Sequence, residues 1–292
     1  MARLLKEADL VRSQTGLETC GQYAEVACES FASPYEKDSL PVLICARNEQ
    51  EDLPATLAFL AKSDRQVAPV VIDNGSQDET TVFAAKMGAL VIDHKEPAGK
   101  AGALQAGFDF IRNSGISRDA LCIDADTLVT SKWSASMEAS LKEPVLQEKG
   151  GASYGLVTFR HGESQATDIL RTAIINLRHT FNHVTNLRPQ PRGSNCGFHL
   201  TDELIDEVKT TIEPTHLAKE DILLREAILR IGGTVIANVN PASITLTRGD
   251  RFSSVKELAS VFFGVTNRSL LYGESPASHP VNISPDGHFL QA

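Results

Sequence analysis

The chain has 292 residues, enough to bury a sizeable core without disulfide staples. Its 28 basic and 37 acidic side chains give a net charge of −9, and no Lys/Arg run occurs, which argues against a nucleic-acid partner. Five scattered cysteines make no disulfide or zinc framework, and no apolar run approaches ~18 residues, so a stapled secreted fold and a transmembrane span are both unexpected.

In chain order, residues 1–38 read as a helical extension. Leu4, Leu5, Ala8 and Val11 fall at helical spacing, as do Cys20, Tyr23, Ala27 and Phe31. The amino end carries acids and lacks an apolar core of signal-peptide length. With an odd number of cysteines, this favours a cytoplasmic protein with reduced thiols.

The main pattern starts with "LPVLICA" (40–46), a short apolar run of strand length. "EDLPATLAFLAKS" (51–63) follows as a helix, with Pro54 tolerable in its first turn. "APVVIDN" (68–74) is a second strand. "SQDETTVFAAKMGA" (76–89) is a second helix, with Ser76 and Glu79 at capping-box spacing and Gly88 at its end. "ALVIDH" (89–94), "KAGALQAGFDFIRNSG" (100–115) and "DALCIDAD" (119–126) add a strand, a helix and a strand. Such alternation predicts an α/β fold with a mostly parallel sheet, flanked by helices. These sheets bind ligands beyond the carboxyl ends of their strands. Arg47 to Glu49, Asp73 to Ser76, Gly99 and Lys100, and Asp124 and Asp126 all fall there.

After residue 130 the alternation weakens. Residues 134–143 and 166–184 read as helices, and "GASYGLVTF" (151–159) as one strand. "RPQPRGSNCGFHL" (188–200) is an irregular loop entering a short strand. "KEDILLREAILRIGG" (219–233) is a helix, and 234–247 is strand-like but broken near Pro241. The expected organisation is an extension over 1–38, one domain over 39–250, and a C-terminal helix and tail over 251–292.

Each motif has a bland reading and a chemical one. In an extended chain Asp124 and Asp126 share a face, a natural seat for a hard cation such as Mg2+ or Mn2+ shared with substrate phosphates. Equally, Asp126 starts a solvated turn. Asp73 at a strand tip suits hydrogen bonds to a nucleobase or ribose, whereas Asn74-Gly75 and Ser76 make a plain turn and cap. Gly99 and Lys100 open a helix, where phosphate binding is favoured, but without P-loop spacing. Glu220 and Asp221 at a helix start favour the dipole, or one of them serves as a general base.

Taken in order, "ARNE", "VIDNGSQDET", "GKAGAL", "CIDADT", "GSNCGF" and "KEDILLREAILRIGG" resemble glycosyltransferase family 2 over roughly residues 40–250. The resemblance implies the GT-A fold, a Rossmann-like sheet, and inverting transfer from a nucleotide-sugar. It places Asn48 and Glu49 in the loop at the nucleotide end, and Asp73 at the base. Lys100 becomes the basic residue of the donor-side helix and Asp124 lies near the ribose. Asp126, with Asp124, holds a divalent cation, Mn2+ or Mg2+. Asp221 becomes the catalytic base, with Glu220 beside it. Arg248 and Arg251 are candidates for steadying the diphosphate. The implied partners are a UDP- or GDP-sugar and a hydroxyl acceptor: a glycan, a lipid-linked sugar or a small molecule. Peripheral membrane contact fits such an enzyme. Two other readings are a haloacid-dehalogenase-like phosphatase, which also carries Asp-x-Asp after a strand, and a non-catalytic nucleotide-sugar-binding subunit.

Overall fold

The structure is a computed structural model that describes residues 30–36, 39–94, 99–160, 165–185, 194–211 and 220–248. The expected extension over 1–38, apart from 30–36, and the expected tail over 251–292 lie outside these residues. Strands β1 (Pro41–Ala46), β2 (Ala68–Asp73), β3 (Leu90–Asp93) and β4 (Asp119–Asp124) alternate with helices α1 (Leu53–Leu60), α2 (Thr80–Lys86) and α3 (Gly99–Ser114). β1 pairs in parallel with β2 and β4, and β2 with β3. Antiparallel β8 (Cys196–His199) extends the sheet beyond β4, followed by β6 (Gly151–Tyr154) and β9 (Thr234–Ala237). The resulting seven-stranded sheet has the order β3-β2-β1-β4-β8-β6-β9. The α/β, mostly parallel architecture expected from the alternation is therefore present.

Alternation of side chains along the strands builds two cores. Val42, Ile44, Leu121 and Ile123 face α1 and α4 (Trp133–Leu141). Leu43, Ile72, Ala120 and Cys122 face α3, α7 (Asp202–Thr211) and α8 (Glu220–Arg230). α3 approaches closely because Gly107 lacks a side chain; a Cβ there would meet Leu43 Cδ1 at 3.1 Å.

Three local expectations need correction. "GASYGLVTF" is not one strand: it breaks at Gly155-Leu156 into β6 and β7 (Val157–Arg160), which belong to different sheets. β7 joins β5 (Leu128–Val129) and β10 (Thr245–Arg248) in a three-stranded sheet of order β5-β10-β7. The break is steric, since a Cβ on Gly155 would lie 2.4 Å from Asn195 Nδ2, so only glycine lets the chain turn away there. The second correction is the capping box. α2 starts at Thr80, and its N-cap Glu79 makes no side-chain cap bond. Ser76 Oγ instead accepts the Asn48 backbone N–H, a partner 28 residues away. Third, α5 (Pro144–Lys149) and α7 had no place in the expected elements, and neither did β5. α7 was visible in principle: Leu204, Ile205 and Val208 have helical spacing and are buried, and Thr201 Oγ1 accepts the Leu204 N–H.

The long helix α6 (Gln165–Thr185) packs on β7 through polar groups. Asn176 Nδ2 donates to the Val157 carbonyl at 2.8 Å, and the Phe159 N–H donates to Thr172 Oγ1 at 3.1 Å. Among the described residues, no helix is long and apolar enough to cross a membrane.

The amino edge of β4 is pinned by a buried carboxylate. Asp119 Oδ1 lies 2.7 Å from His199 Nδ1, and Lys142 Nζ donates to Asp119 Oδ2 at 2.5 Å. Burial pushes the Asp119 carboxyl up, but the hydrogen bonds from His199 and Lys142 outweigh it and hold its pKa below the ordinary aspartate value. A depressed folded pKa means stability that is present above the unfolded value, about 3.9, and lost as pH falls through the folded one. Asp119→Asn should therefore be less stable at pH 7 and lose less stability than the parent between about pH 4 and pH 2. Urea unfolding at a series of pH values reads this directly; parallel curves for the two proteins would contradict it.

Candidate functional site

β1, β2 and β4 run parallel as neighbours, so their carboxyl ends share one edge of the sheet. The loops after them, with the starts of α3 and α8, carry the residues singled out from the sequence.

The loop after β1 is stitched to the loop after β2. Asn48 has φ 56°, the only positive φ at a non-glycine among the described residues, a conformation that asparagine tolerates better than most. Its Oδ1 accepts the Gln77 N–H at 2.8 Å, while the Glu49 N–H donates to Thr80 Oγ1 at 2.8 Å. The Gln50 N–H reaches Asp78 Oδ2 at 3.2 Å. The Asn48 side chain and the backbone of residues 48–50 thus hold the rim of the site in shape.

Asp73 closes β2 and is 3% exposed. Its Oδ2 accepts the Ser76 N–H at 3.0 Å, which folds the turn back on itself. Its Oδ1 is buried and has no hydrogen-bond partner among the described residues. A buried acceptor left without a donor is costly, and a ligand N–H or O–H would remove that cost.

The Asp124-Ala125-Asp126 segment does not have the extended form assumed from its sequence. β4 ends at Asp124, and the Thr127 N–H bonds back to the Asp124 carbonyl at 3.1 Å, so Asp126 sits inside a turn. The turn is clamped from both sides. Thr56 Oγ1, on α1, donates to the Ala125 carbonyl at 2.7 Å, and Thr127 Oγ1 lies 3.3 Å from Thr247 Oγ1 on β10. Asp126 is 2% exposed, and Asp124 more open. Among the described residues no group of three or more His, Cys, Asp or Glu side chains could by itself hold a metal. Two aspartates separated by a single residue still form a hard, anionic donor pair of the kind that shares Mg2+ or Mn2+ with phosphate oxygens. On that chemistry the residues fit a divalent cation.

Sequence proximity offers Asp124 no cation; the fold does. Lys100, in the first turn of α3, donates from Nζ to Asp124 Oδ1 at 2.5 Å and lies 3.7 Å from Glu220 Oε1 at the start of α8. Burial pulls the Lys100 pKa down, but Asp124, Glu220 and Asp221 outweigh it and hold it well above the ordinary lysine value. Lys100 therefore stays charged throughout the neutral range and joins three acidic residues from two elements. Beneath it, Cys45 stays a neutral thiol: burial and Cys122 raise its pKa, against a lowering effect of Lys100. Lys100, Asp124, Glu220 and Asp221 are thus brought together. Asp73 and Asn48 lie along the same edge on the neighbouring strands. The Arg248 side chain and Arg251 lie outside what the structure describes.

Within the "GSNCGF" stretch, Asn195 has a structural use. Asn195 is fully buried, and its Oδ1 accepts the Trp133 Nε1–H at 2.9 Å. Its Nδ2 donates to the carbonyls of Leu156 and Ser243, each at 2.7 Å. One side chain thereby ties α4, the β6–β7 break and the 3-10 turn before β10 together. The sequence signal was an asparagine beside Cys196 and Gly197 at a strand start, which does not by itself announce a clamp.

Comparison with known proteins agrees with this geometry. Residues 42–180 match the model of the family described as "Glycosyl transferase family 2". An uncharacterised glycosyltransferase of Mycobacterium bovis is 39% identical over 70 residues, 24% of this chain, and the match spans only 30% of that relative's length. A solved structure of GalNAc-T7 with UDP, GalNAc and Mn2+ superposes with a TM-score of 0.50 at 14% identity, covering 73% of this chain and 44% of that one. A mannosyltransferase from Pyrobaculum calidifontis in complex with GDP-Man and Mn2+ gives a TM-score of 0.49 at 18% identity, over 84% of this chain and 66% of that one. The fold is of the GT-A type, and the matched family region runs from β1 into α6, ending before Glu220 and Asp221. Over residues 42–180, the chain is similar to glycosyl transferase family 2.

Proposed function

We propose that the chain transfers a sugar, with inversion, from a UDP- or GDP-sugar to an acceptor hydroxyl. The observation that carries this reading is the meeting of Lys100, Asp124, Glu220 and Asp221 at the carboxyl edge of a domain similar to family 2. Asp73, with its unpartnered buried oxygen, would take a donor group of the base or ribose. The loop carrying Asn48 and Glu49 would close over the nucleotide end. Asp124 would stand by the ribose and, with Asp126, hold a divalent cation. A bound Mn2+ or Mg2+ offsets the charge on the departing diphosphate as a Lewis acid. Lys100 would add a fixed positive charge beside the same acids and keep Asp124 oriented.

Asp221 would act as the general base. It would accept the acceptor hydroxyl's proton as that oxygen attacks the anomeric carbon from the face opposite the diphosphate. The new C–O bond forms as the bond to the diphosphate breaks, and one displacement inverts the centre. Three free cysteines among the described residues, Cys45, Cys122 and Cys196, accord with the cytoplasmic setting proposed here. The acceptor class is a glycan, a lipid-linked sugar or a small molecule.

Calorimetry with a panel of UDP- and GDP-sugars, with and without Mn2+, tests the reading. We expect metal-dependent binding of one nucleotide class, lost in Asp126→Ala. Absence of binding to every donor with metal present would remove the transferase reading.

A further inference from the structure

A second polar site lies at the opposite edge of the sheet. The chain carries a net charge of −9, yet one cavity of about 400 Å3 is lined by Arg65, Arg118 and Lys142 against only Asp119 and Glu138 among acids. It opens where β4 begins, at Asp119, while the proposed donor site lies where β4 ends, at Asp124. Five residue steps of strand separate them, about 17 Å.

Counting hydrogen-bond valences decides what such a cavity can hold. Asp119 has both oxygens engaged, by His199 and Lys142, so it offers little to a cation. Glu138 accepts from Arg65 at 3.0 Å. The donors are in surplus. Arg118 has five N–H groups and spends one, on the exposed Asp202 at 3.3 Å. Lys142 has three and spends one, on Asp119. Ser39 lines the same cavity, and its buried hydroxyl has no hydrogen-bond partner among the described residues. A cavity with a positive lining, spare donors and acidic groups already paired to cations is complementary to an acceptor-rich anion. A guanidinium, an ammonium and a hydroxyl line the cavity from different parts of the chain, a donor set not confined to one plane that suits the tetrahedral oxygens of a phosphate better than a planar carboxylate.

We propose that this cavity is a binding site for a phosphate group borne by a small molecule, separate from the donor site. It depends on neither the metal nor the nucleotide, and so stands apart from the transferase reading.

The test is calorimetric titration of the full chain with inorganic phosphate at pH 7.5 in the presence of EDTA, which disables the metal-assisted donor site. Acetate serves as the planar control. Arg118 is 56% exposed, so Arg118→Glu reverses its charge without opening the core. Circular dichroism is used to check that this variant and Lys100→Met both fold. We expect saturable phosphate binding that weakens by at least about tenfold in Arg118→Glu. It should persist in Lys100→Met, which alters only the donor edge. Three results would each overturn the proposal: no saturation, equal affinity in Arg118→Glu, or loss in Lys100→Met with retention in Arg118→Glu. Acetate binding as tightly as phosphate would overturn the choice of ligand class.

Discussion

Replacing Asp221 by Asn is expected to cut turnover by about 10²- to 10⁴-fold, the usual contribution of a positioned general base. Donor affinity should stay within about threefold of the parent, because the change removes an interaction made in the transition state and not in the bound donor. The argument starts from placement. Asp221 sits in the first turn of α8 and acts electrostatically on Lys100, whose ammonium is shared with Asp124 and Glu220. The donor is assigned to Asp73, Asp124, Asp126 and Lys100, so those contacts survive the substitution. Asn has nearly the same shape as Asp but does not accept a proton at neutral pH. The acid limb of the pH–rate profile should vanish together with the turnover. Unchanged turnover would move the base elsewhere, with Glu220 the next residue to test. A protein that binds donor in both forms and turns over in neither is the non-catalytic subunit.

Asn195→Ala should lower stability by about 3–5 kcal/mol, as large as the removal of a big core side chain. Asn195 is fully buried and serves three partners. The truncation leaves the Trp133 indole N–H and the carbonyls of Leu156 and Ser243 without it. Each orphaned buried group costs about 1–3 kcal/mol. The melting temperature should fall by on the order of 10 °C for a chain of this length. Trp133→Phe, which removes one partner's N–H and leaves Nδ2 bonded, should cost distinctly less. A drop below about 1 kcal/mol for Asn195→Ala would mean that the clamp is not an energetic one. Activity per folded molecule at low temperature should stay near normal, since Asn195 touches none of the proposed donor residues. This distinguishes it from Asp221→Asn, where stability stays and turnover goes.

Strand and helix identity up to residue 124 could be read from the chain because it is a short-range property. Apolar runs of strand length and helical spacing depend on residues two to four apart, and the α/β alternation follows from them. The parallel order then forces Asp73 and Asp124 to one edge, because parallel neighbours end on the same side. The family motifs, read in order, carried the fold type as well. Where local chemistry had two outlets, the sequence pointed the wrong way. Ser76 could cap α2 or take the Asn48 N–H, and only the nearness of the β1 loop decided it. "GASYGLVTF" was continuous in hydropathy, yet Asn195 lies against Gly155 and parts β6 from β7.

The pairings that matter most join distant parts of the chain. Lys100 meets Asp124 across 24 positions, Trp133 meets Asn195 across 62, and Asp119 meets His199 across 80. No local periodicity encodes such pairs; they exist because the sheet order sets β1, β4 and β8 side by side. The sequence by itself determined the secondary elements of the first half, the edge on which the acidic motifs lie and the family they resemble. Only the tertiary structure decided that Lys100 sits among the acids, that Asp126 sits in a clamped turn, that Asn195 is a clamp, and that a basic cavity opens at the far edge. The physical reason is that charge balance and burial are set by neighbours in space.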